Sequence, residues 1–373
     1  MEKLFLLDAY ALIYRAYYAF IKNPRINSKG FNTSAVLGFV NTLEDVLKKE
    51  EPTHIGIAFD PAGPTFRHEA YEQYKAQREA TPEAIRLSVP VIKDIIRAYH
   101  IPILEVSGYE ADDVIGTLAT QAGQKGISTY MMTPDKDYGQ LVSENVFMYR
   151  PKYGDKEFEV MGVEEVKAKF DIQSPSQVID MLGLMGDTAD NIPGCPGVGE
   201  KTAQKLIAQF GSIENLLAHT DQLKGAIRTK VETNREQIAF SKFLATIKID
   251  VPITLDMDAL KREAPDEEAL RKIFEEMEFR TLMDRVLKTE KKIAPSSTPL
   301  QGDLFGLFAP EDTDASKNSN LTRLEDASFD YQLIDTEEKQ YELLQNILTK
   351  EIFSLDTETT GTDAMSAELV GMS

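Results

Sequence analysis

Short apolar runs separated by helical repeats organise the first 170 residues. Residues 3–8 (KLFLLD), 54–59 (HIGIAF), 127–132 (ISTYMM) and 145–149 (NVFMY) are largely apolar stretches of strand length. Such runs mark strands buried on both faces of a parallel sheet. Between them, EAIRLSVPVIKDIIRAYH (83–100) and ADDVIGTLATQAGQKG (111–126) place apolar residues at helical spacing. The alternation predicts an α/β domain over 1–170, a mostly parallel sheet flanked by helices. From 171 to 290 strand signals largely vanish. QVIDMLGLMG, EKTAQKLIAQFG and ALRKIFEEMEF predict a second, all-α domain. Residues 291–325 are rich in Pro, Ser, Asn and acids without a sustained period, which predicts a flexible linker. An α/β pattern restarts over 326–373 with EEKQYELLQNILT and IFSLDTETTG, a stretch too short to close a typical core alone and read as the truncated start of a further domain.

Composition narrows the class. With 42% hydrophobic residues, the 373-residue chain can bury cores for two or three domains. It opens on a strand pattern without a basic leader or small-residue cleavage site, and no apolar run reaches membrane-spanning length. The expectation is a cytoplasmic chain with no membrane contact, and a monomer. A lone Cys195 and four His exclude a disulfide framework and argue against zinc. The net charge of -20 is uneven, because residues 291–373 hold 6 Lys/Arg against 16 Asp/Glu and so carry half of it. Global acidity therefore does not exclude nucleic acid, which local basic patches can still reach.

The candidate chemistry lies in nine carboxylates grouped in five short stretches: Asp8, Asp60, Glu110/Asp112/Asp113, Asp135/Asp137 and Asp187/Asp190. Several trail a predicted strand, and the carboxyl ends of parallel strands converge on one crevice. Each stretch has an ordinary explanation. Asp8 is a suitable helix N-cap, Asp60 a turn residue before Pro61, and the acids of GYEADD complement a helix dipole. Three acids in four positions exceed what a dipole needs. In PDKD, Asp135 and Asp137 share a side while Lys136 turns outward; in GDTADN, Asp187 and Asp190 share one face of a helical turn. Together they predict an acidic cup that holds cations among its anions, and all-oxygen ligands favour two Mg²⁺ or Mn²⁺ ions.

Two other segments point to a polyanion. GCPGVGEKTA (194–203) misses a nucleotide phosphate loop by one residue, since Glu200 separates Gly199 from Lys201. It reads instead as a glycine-rich hairpin between helices, in which Gly194, Gly197, Gly199, Lys201, Thr202 and Lys205 approach a DNA phosphate. In TFRHEAYEQYKAQREATPE (65–83), Arg67, Lys75 and Arg78 interleave with Tyr71 and Tyr74, a mixture suited to a single strand, unless the segment is a plain exposed amphipathic helix.

Taken in order, FDPAGPTFRHEAYEQYKAQR, GYEADDVIGTLA, TPDKD, GDTADNIPG and GVGEKTA resemble the 5′-nuclease family of bacterial DNA polymerase I, relatives of the flap endonucleases, over residues 1–290. The resemblance implies a PIN-like sheet, a helical arch about 65–90, and a helix-three-turn-helix hairpin at 194–203 that grips duplex DNA, often with K⁺. Cys195 departs from the aliphatic residue expected there. SLDTETTG resembles the first motif of a 3′-5′ proofreading domain, with Asp356 and Glu358 as an incomplete metal pair. QGDLF resembles a sliding-clamp docking peptide through Gln301, Leu304 and Phe305.

The function so implied is metal-dependent hydrolysis at the 5′ end of a nicked or flapped DNA strand, an RNA primer strand included, in bacterial replication and repair near the nucleoid. Asp60, Glu110 and Asp112, with Asp8 nearby and Asp113 in support, hold one ion. Asp135, Asp137, Asp187 and Asp190 hold the other. Lys75 and Arg78 neutralise the scissile phosphate. A non-catalytic structure-specific DNA-binding module and a PIN-type ribonuclease are the alternatives.

Overall fold

The computed structural model describes residues 2–151, 158–287, 334, 336–349, 357–359 and 369–372. The linker, with Gln301, Leu304 and Phe305, lies outside these residues, as does Asp356; Glu358 falls in a short strand.

Six strands, β1 (Lys3–Asp8), β2 (His54–Ala58), β3 (Ile103–Leu104), β4 (Ser128–Met132), β5 (Val146–Pro151) and β6 (Phe158–Met161), form one sheet in the order β3-β2-β1-β4-β5-β6. All neighbours are parallel except β6, which pairs antiparallel to β5. β3 and β6 escaped the sequence reading because neither offers a long apolar run: β3 is two residues, and β6 sits on the sheet edge with Val160 exposed.

Alternation along β1 shows why its apolar run is continuous. Leu4 and Leu6 enter one core with Met131 and Met148, while Phe5 and Leu7 enter the other with Ile55 and Ile57. Helices α1 (Ala9–Ala19), α2 (Ser34–Asp45) and α4 (Glu83–Ala98) supply the second core; α3 (Phe66–Ala70) is a single short helix before α4. On the first face lies α5 (Ala111–Gln124). The chain then continues through α6 (Val163–Phe170), α7 (Val178–Met185), α8 (Glu200–Phe210), α9 (Ile213–Ala218), α10 (Gly225–Thr233) and α11 (Arg235–Ala245). α12 (Glu267–Glu276) and α13 (Arg280–Leu287) return to the second face.

The helical layer is not a separate body. It shares the first core with the sheet, and residues up to 287 fall in one compact unit. Beyond α11 the chain is tied to α5: Lys248 N donates to Asp113 Oδ1 (2.8 Å), and Gln121 bonds Ile253 O (3.0 Å) and Leu255 N (2.8 Å). In the C-terminal unit, α14 (Glu337–Leu348) is capped by Thr336, and β7 (Thr357–Thr359) pairs antiparallel to β8 (Leu369–Met372).

Sheet order places the site. The chain adds β2 and β3 on one side of β1 and β4 to β6 on the other, so the order reverses between β1 and β4, where open α/β sheets form their crevice. Register sets Asp8 opposite Ala58 and Leu7 opposite Met132, so Asp8, Asp60 and Thr133 leave the sheet at one edge.

Candidate metal centre

A cleft of about 1050 Å³ opens at that edge, and seven of the nine carboxylates line it: Asp8, Asp60, Glu110, Asp112, Asp135, Asp137 and Asp190. Lys75 and Arg78 line it too. Asp113 and Asp187 do not.

Asp8 ends β1 and caps α1, its Oδ1 accepting from Ala11 N at 3.1 Å. Its Oδ2 accepts from Tyr138 OH (3.2 Å) and Thr133 Oγ1 (3.4 Å). Burial, with Asp60 nearby, pushes the Asp8 carboxyl from 3.8 up to about 7. Asp60 fixes the start of α5 by accepting Ala111 N at 2.7 Å, and burial raises its carboxyl as well.

Glu110, Asp112 and Asp113 bring carboxylate oxygens within 4.8 Å of one another at the N-terminus of α5. They do different work. Asp113 is fully buried, and its two oxygens take four bonds, from Arg67 Nη1 and Nη2 (both 2.8 Å), Glu110 N (3.1 Å) and Lys248 N (2.8 Å). All its lone-pair sites are used, so Asp113 positions the acids beside it and does not face the cleft. Glu110 accepts from Arg67 Nη1 (3.0 Å), Tyr74 OH (2.9 Å) and Lys75 Nζ (2.7 Å). Burial opposes its ionisation, but Lys75 and Arg67 overcome that and hold its carboxyl below the ordinary range. Asp112 keeps the most unpaired charge. Burial, together with Asp113 and Glu110 and against the pull of Arg67, raises it well above the ordinary value.

Two members of the basic and aromatic segment turn inward, which corrects their reading as part of a single-strand track. Arg67 is 1% exposed and Tyr74 3%, so neither can meet DNA. Tyr71 packs edge-on against Phe240, ring centroids 5.6 Å apart. Between α3 and α4, residues 71–82 are turns rather than arch helix, and Ile85 and Ser88 on the first turns of α4 are buried in the core. Lys75 adopts a left-handed φ of 57°, an uncommon geometry for a side-chain-bearing residue and one concentrated at functional sites. Its backbone N bonds Asp190 O (3.0 Å), which aims Nζ at Glu110 and leaves it 3.8 Å from Asp190. Arg78 donates to Ala189 O (3.1 Å) and pairs closely with Asp190.

Asp135 caps a 3-10 turn over residues 136–141 by accepting Asp137 N (3.0 Å). Asp137 Oδ1 is buried with no hydrogen-bond partner, and burial beside Asp135 and Asp187 raises its carboxyl well above the ordinary value. Lys136, its side chain 42% exposed, pairs through Nζ with Asp187 at 3.0 Å. Asp187 and Asp190 are not on one helical face. They flank a loop closed by the Asp187–Ile192 bridge, Asp187 answering Lys136 and Asp190 answering Tyr74, Lys75 and Arg78.

Reading the sequence also passed over groups that line or hold the cleft. Tyr138 follows PDKD directly, and Tyr10, Tyr14 and Tyr18 recur every fourth residue on the face of α1 that begins at Asp8. That spacing was the available signal.

The glycine hairpin joins α7 to α8. Gly186 and Gly194 have φ of 73° and 60°, and a Cβ on Gly194 would lie 2.8 Å from Gly186 Cα, so both are required by the close approach of two backbone strands. Gly194 is therefore buried, bonded to Ser241 Oγ (3.0 Å) and Gln237 Nε2 (2.7 Å), and is corrected from a DNA contact to a hairpin anchor. Gly197, Gly199, Lys201 and Lys205 are exposed and Thr202 is half-buried. Gly197 O accepts from Lys230 Nζ at 3.3 Å, adding a lysine the sequence did not single out. Cys195 is buried beneath the turn.

Comparison with known proteins gives concordant results. The family model for the 5′-3′ exonuclease N-terminal resolvase-like domain matches residues 3–171, and that for the 5′-3′ exonuclease C-terminal SAM fold matches residues 173–268. DNA polymerase I of Bacillus caldotenax is 41% identical over 308 residues, covering 82% of this chain and 34% of the relative. DNA polymerase I of Chloroflexus aurantiacus is 36% identical over 387 residues, covering 99% of this chain and 40% of the relative. The chain thus spans about a third of the length of the first of these relatives and two-fifths of the second. Among solved structures, a T5 5′-exonuclease with bound divalent metal ions (zinc) superposes with a TM-score of 0.56 at 19% identity, covering 74% of this chain and 99% of that one. The catalytic core of Rad2 in complex with DNA substrate gives 0.55 at 16% identity, covering 79% and 93%. These structures share the fold.

Proposed function

The chain belongs to the 5′-3′ exonuclease family, and on that premise we propose that it is a divalent-metal-dependent nuclease that hydrolyses phosphodiesters at the 5′ ends of nicked or flapped DNA. The observation that carries this reading is the convergence of seven carboxylates on one cleft, several held with raised pKa values by their mutual proximity and burial. Such an arrangement is costly without cations. The residues fit hard divalent ions: every donor is oxygen, and Asp137 Oδ1 is a buried acceptor with nothing bonded to it. Asp60, Glu110 and Asp112, with Asp8 beside them, form one ligand group; Asp135, Asp137 and Asp190 form the other, with Asp187 held behind them by Lys136. Two Mg²⁺ or Mn²⁺ ions bound there would activate a water and stabilise the leaving oxygen.

The chain's own groups do the rest. Lys75 and Arg78, on the turns at the cleft wall, bind the scissile phosphate and offset the charge that develops on it. Tyr138 and Thr133 fix the Asp8 carboxylate by hydrogen bonds. Water adds to phosphorus and releases a proton to solvent as the bond to the 3′ oxygen breaks, and that oxygen takes a proton from solvent, which leaves a 5′-phosphate on one product and a 3′-hydroxyl on the other. The exposed Lys201 and Lys205 at the hairpin hold duplex phosphates without reading bases. A K⁺ ion at the hairpin belongs to the same proposal; Gly197 O, which accepts from Lys230 Nζ at 3.3 Å, keeps a second lone pair.

The test is a labelled 5′-flap DNA duplex with Mg²⁺ or with EDTA, beside an RNA of the same shape. Cleavage near the flap junction, abolished by EDTA, is expected. Tight binding without cleavage would replace the proposal with a binding module, and cleavage of RNA alone with a ribonuclease. Lys201→Ala is expected to weaken duplex binding and lower the slope of log affinity against log salt by about 1. An unchanged slope would remove Lys201 from the contact.

A further inference from the structure

We infer that Arg67, buried beneath the cup and remote from solvent, is a positioning residue for the metal ligands and ties them to the helix that supports the hairpin; this rests on the nuclease reading above. All five guanidinium N–H groups are used. Nε donates to Leu244 O (2.9 Å), Nη1 to Glu110 (3.0 Å) and Asp113 (2.8 Å), and Nη2 to Asp113 (2.8 Å) and Thr246 O (2.8 Å). Leu244 and Thr246 lie at the C-terminal end of α11, whose Gln237 and Ser241 hold Gly194 of the hairpin. One side chain therefore joins the acidic turn of α5 to the support of the glycine hairpin.

The arrangement explains why three acids crowd one helical turn. Asp113 is spent on Arg67, and the pair forms a rigid base, bidentate and planar, against which Glu110 is oriented. Glu110 Oε2 faces Arg67 and Tyr74, which turns Oε1 toward Lys75 and the cleft. Asp112 is placed with its Oδ1 4.0 Å from Arg67 Nη1, near enough to feel the charge and too far to be consumed by a hydrogen bond. A lysine here would keep the charge, but its single ammonium cannot span two carboxylates and two carbonyls in a plane.

Arg67→Lys separates this role from DNA contact and from plain packing. The readouts are Mn²⁺ affinity by calorimetry, kcat and KM on flap DNA, and duplex affinity in EDTA. We expect Mn²⁺ to bind at least tenfold more weakly and kcat to fall at least tenfold, with KM and duplex affinity within about twofold of wild type, on the scale of lost ligand support. A folded Arg67→Lys protein with wild-type Mn²⁺ affinity and kcat would overturn the inference. A loss confined to duplex affinity would also overturn it, leaving Arg67 a support of the hairpin alone.

Asp113→Asn provides a second variant should the first not fold: it keeps the side-chain shape, breaks the bidentate pair, and should produce the same Mn²⁺ defect. Hydrogen exchange on metal-free protein gives an independent measure, since Arg67→Lys should loosen amides 110–114 and 244–248 together while β1 and β4 stay protected. If wild type itself neither binds Mn²⁺ nor cleaves DNA, the nuclease proposal fails while the exchange result still decides whether Arg67 couples the two segments; separate loosening would overturn the coupling.

Discussion

Replacing Asp112 by Asn is expected to lower kcat on flap DNA by about 10³-fold or more, beyond the roughly 10- to 100-fold typical of residues that only support a ligand. Duplex binding in Ca²⁺ should persist. Asp112 is the member of the α5 group with least internal compensation, because Arg67 and Lys75 are committed chiefly to Glu110 and Asp113. The amide keeps an oxygen for the Asp113 N–H bond now made by Asp112 Oδ1 at 2.7 Å, so the turn should survive. Removing a half-buried, repelled anion should also raise the melting temperature of the metal-free protein while abolishing much of the increase that Mn²⁺ produces. Activity and metal-free stability therefore move in opposite directions. Calorimetric melting beside single-turnover cleavage checks both, and a variant that cleaved at the wild-type rate would remove Asp112 from the ligands.

The second large effect is on stability as pH changes. A carboxyl raised from 3.8 to about 7, as at Asp8, holds a proton in the folded state that the unfolded chain has already lost across that interval. The folded state then binds more protons than the unfolded one, so stability falls as pH rises from about 4 to 7 and levels off above. The displacement corresponds to at most about 4 kcal/mol, less in practice because Asp8 is only half-buried. Asp112 and Asp137, also raised, act in the same direction. A divalent cation binds the ionised form, so the rise in melting temperature on adding Mg²⁺ should be small at pH 5 and large at pH 8. Asp8→Asn should flatten the pH dependence. A Mg²⁺ effect independent of pH would show that the raised acids are not the ligands.

Much of the fold was legible because strands buried on both faces leave runs such as LFLL and HIGIA that nothing else explains. β3 and β6 were not, since a two-residue strand and an exposed edge carry no such pattern. The site was legible at the level of residue type and less so at the level of role. Five acidic stretches could be read from the chain, but which acids face outward depended on partners far away in sequence: Asp113 is consumed by Arg67 and by the backbone of Lys248, and Asp187 by Lys136. Arg67 and Tyr74 looked like DNA contacts because local spacing cannot distinguish a basic side chain reaching solvent from one neutralising buried carboxylates beneath it. Gly194 was misjudged for a related reason, its need for glycine arising from the backbone of Gly186 and not from a ligand.

The central claim is that these acids form one cation-holding cup, and anomalous diffraction from crystals equilibrated with Mn²⁺ tests it most directly. The account predicts Mn²⁺ peaks inside the cleft, one among Asp60, Glu110 and Asp112 and another among Asp135, Asp137 and the Asp187–Asp190 loop. Peaks only at the protein surface, with the cleft empty at saturating Mn²⁺, would contradict it.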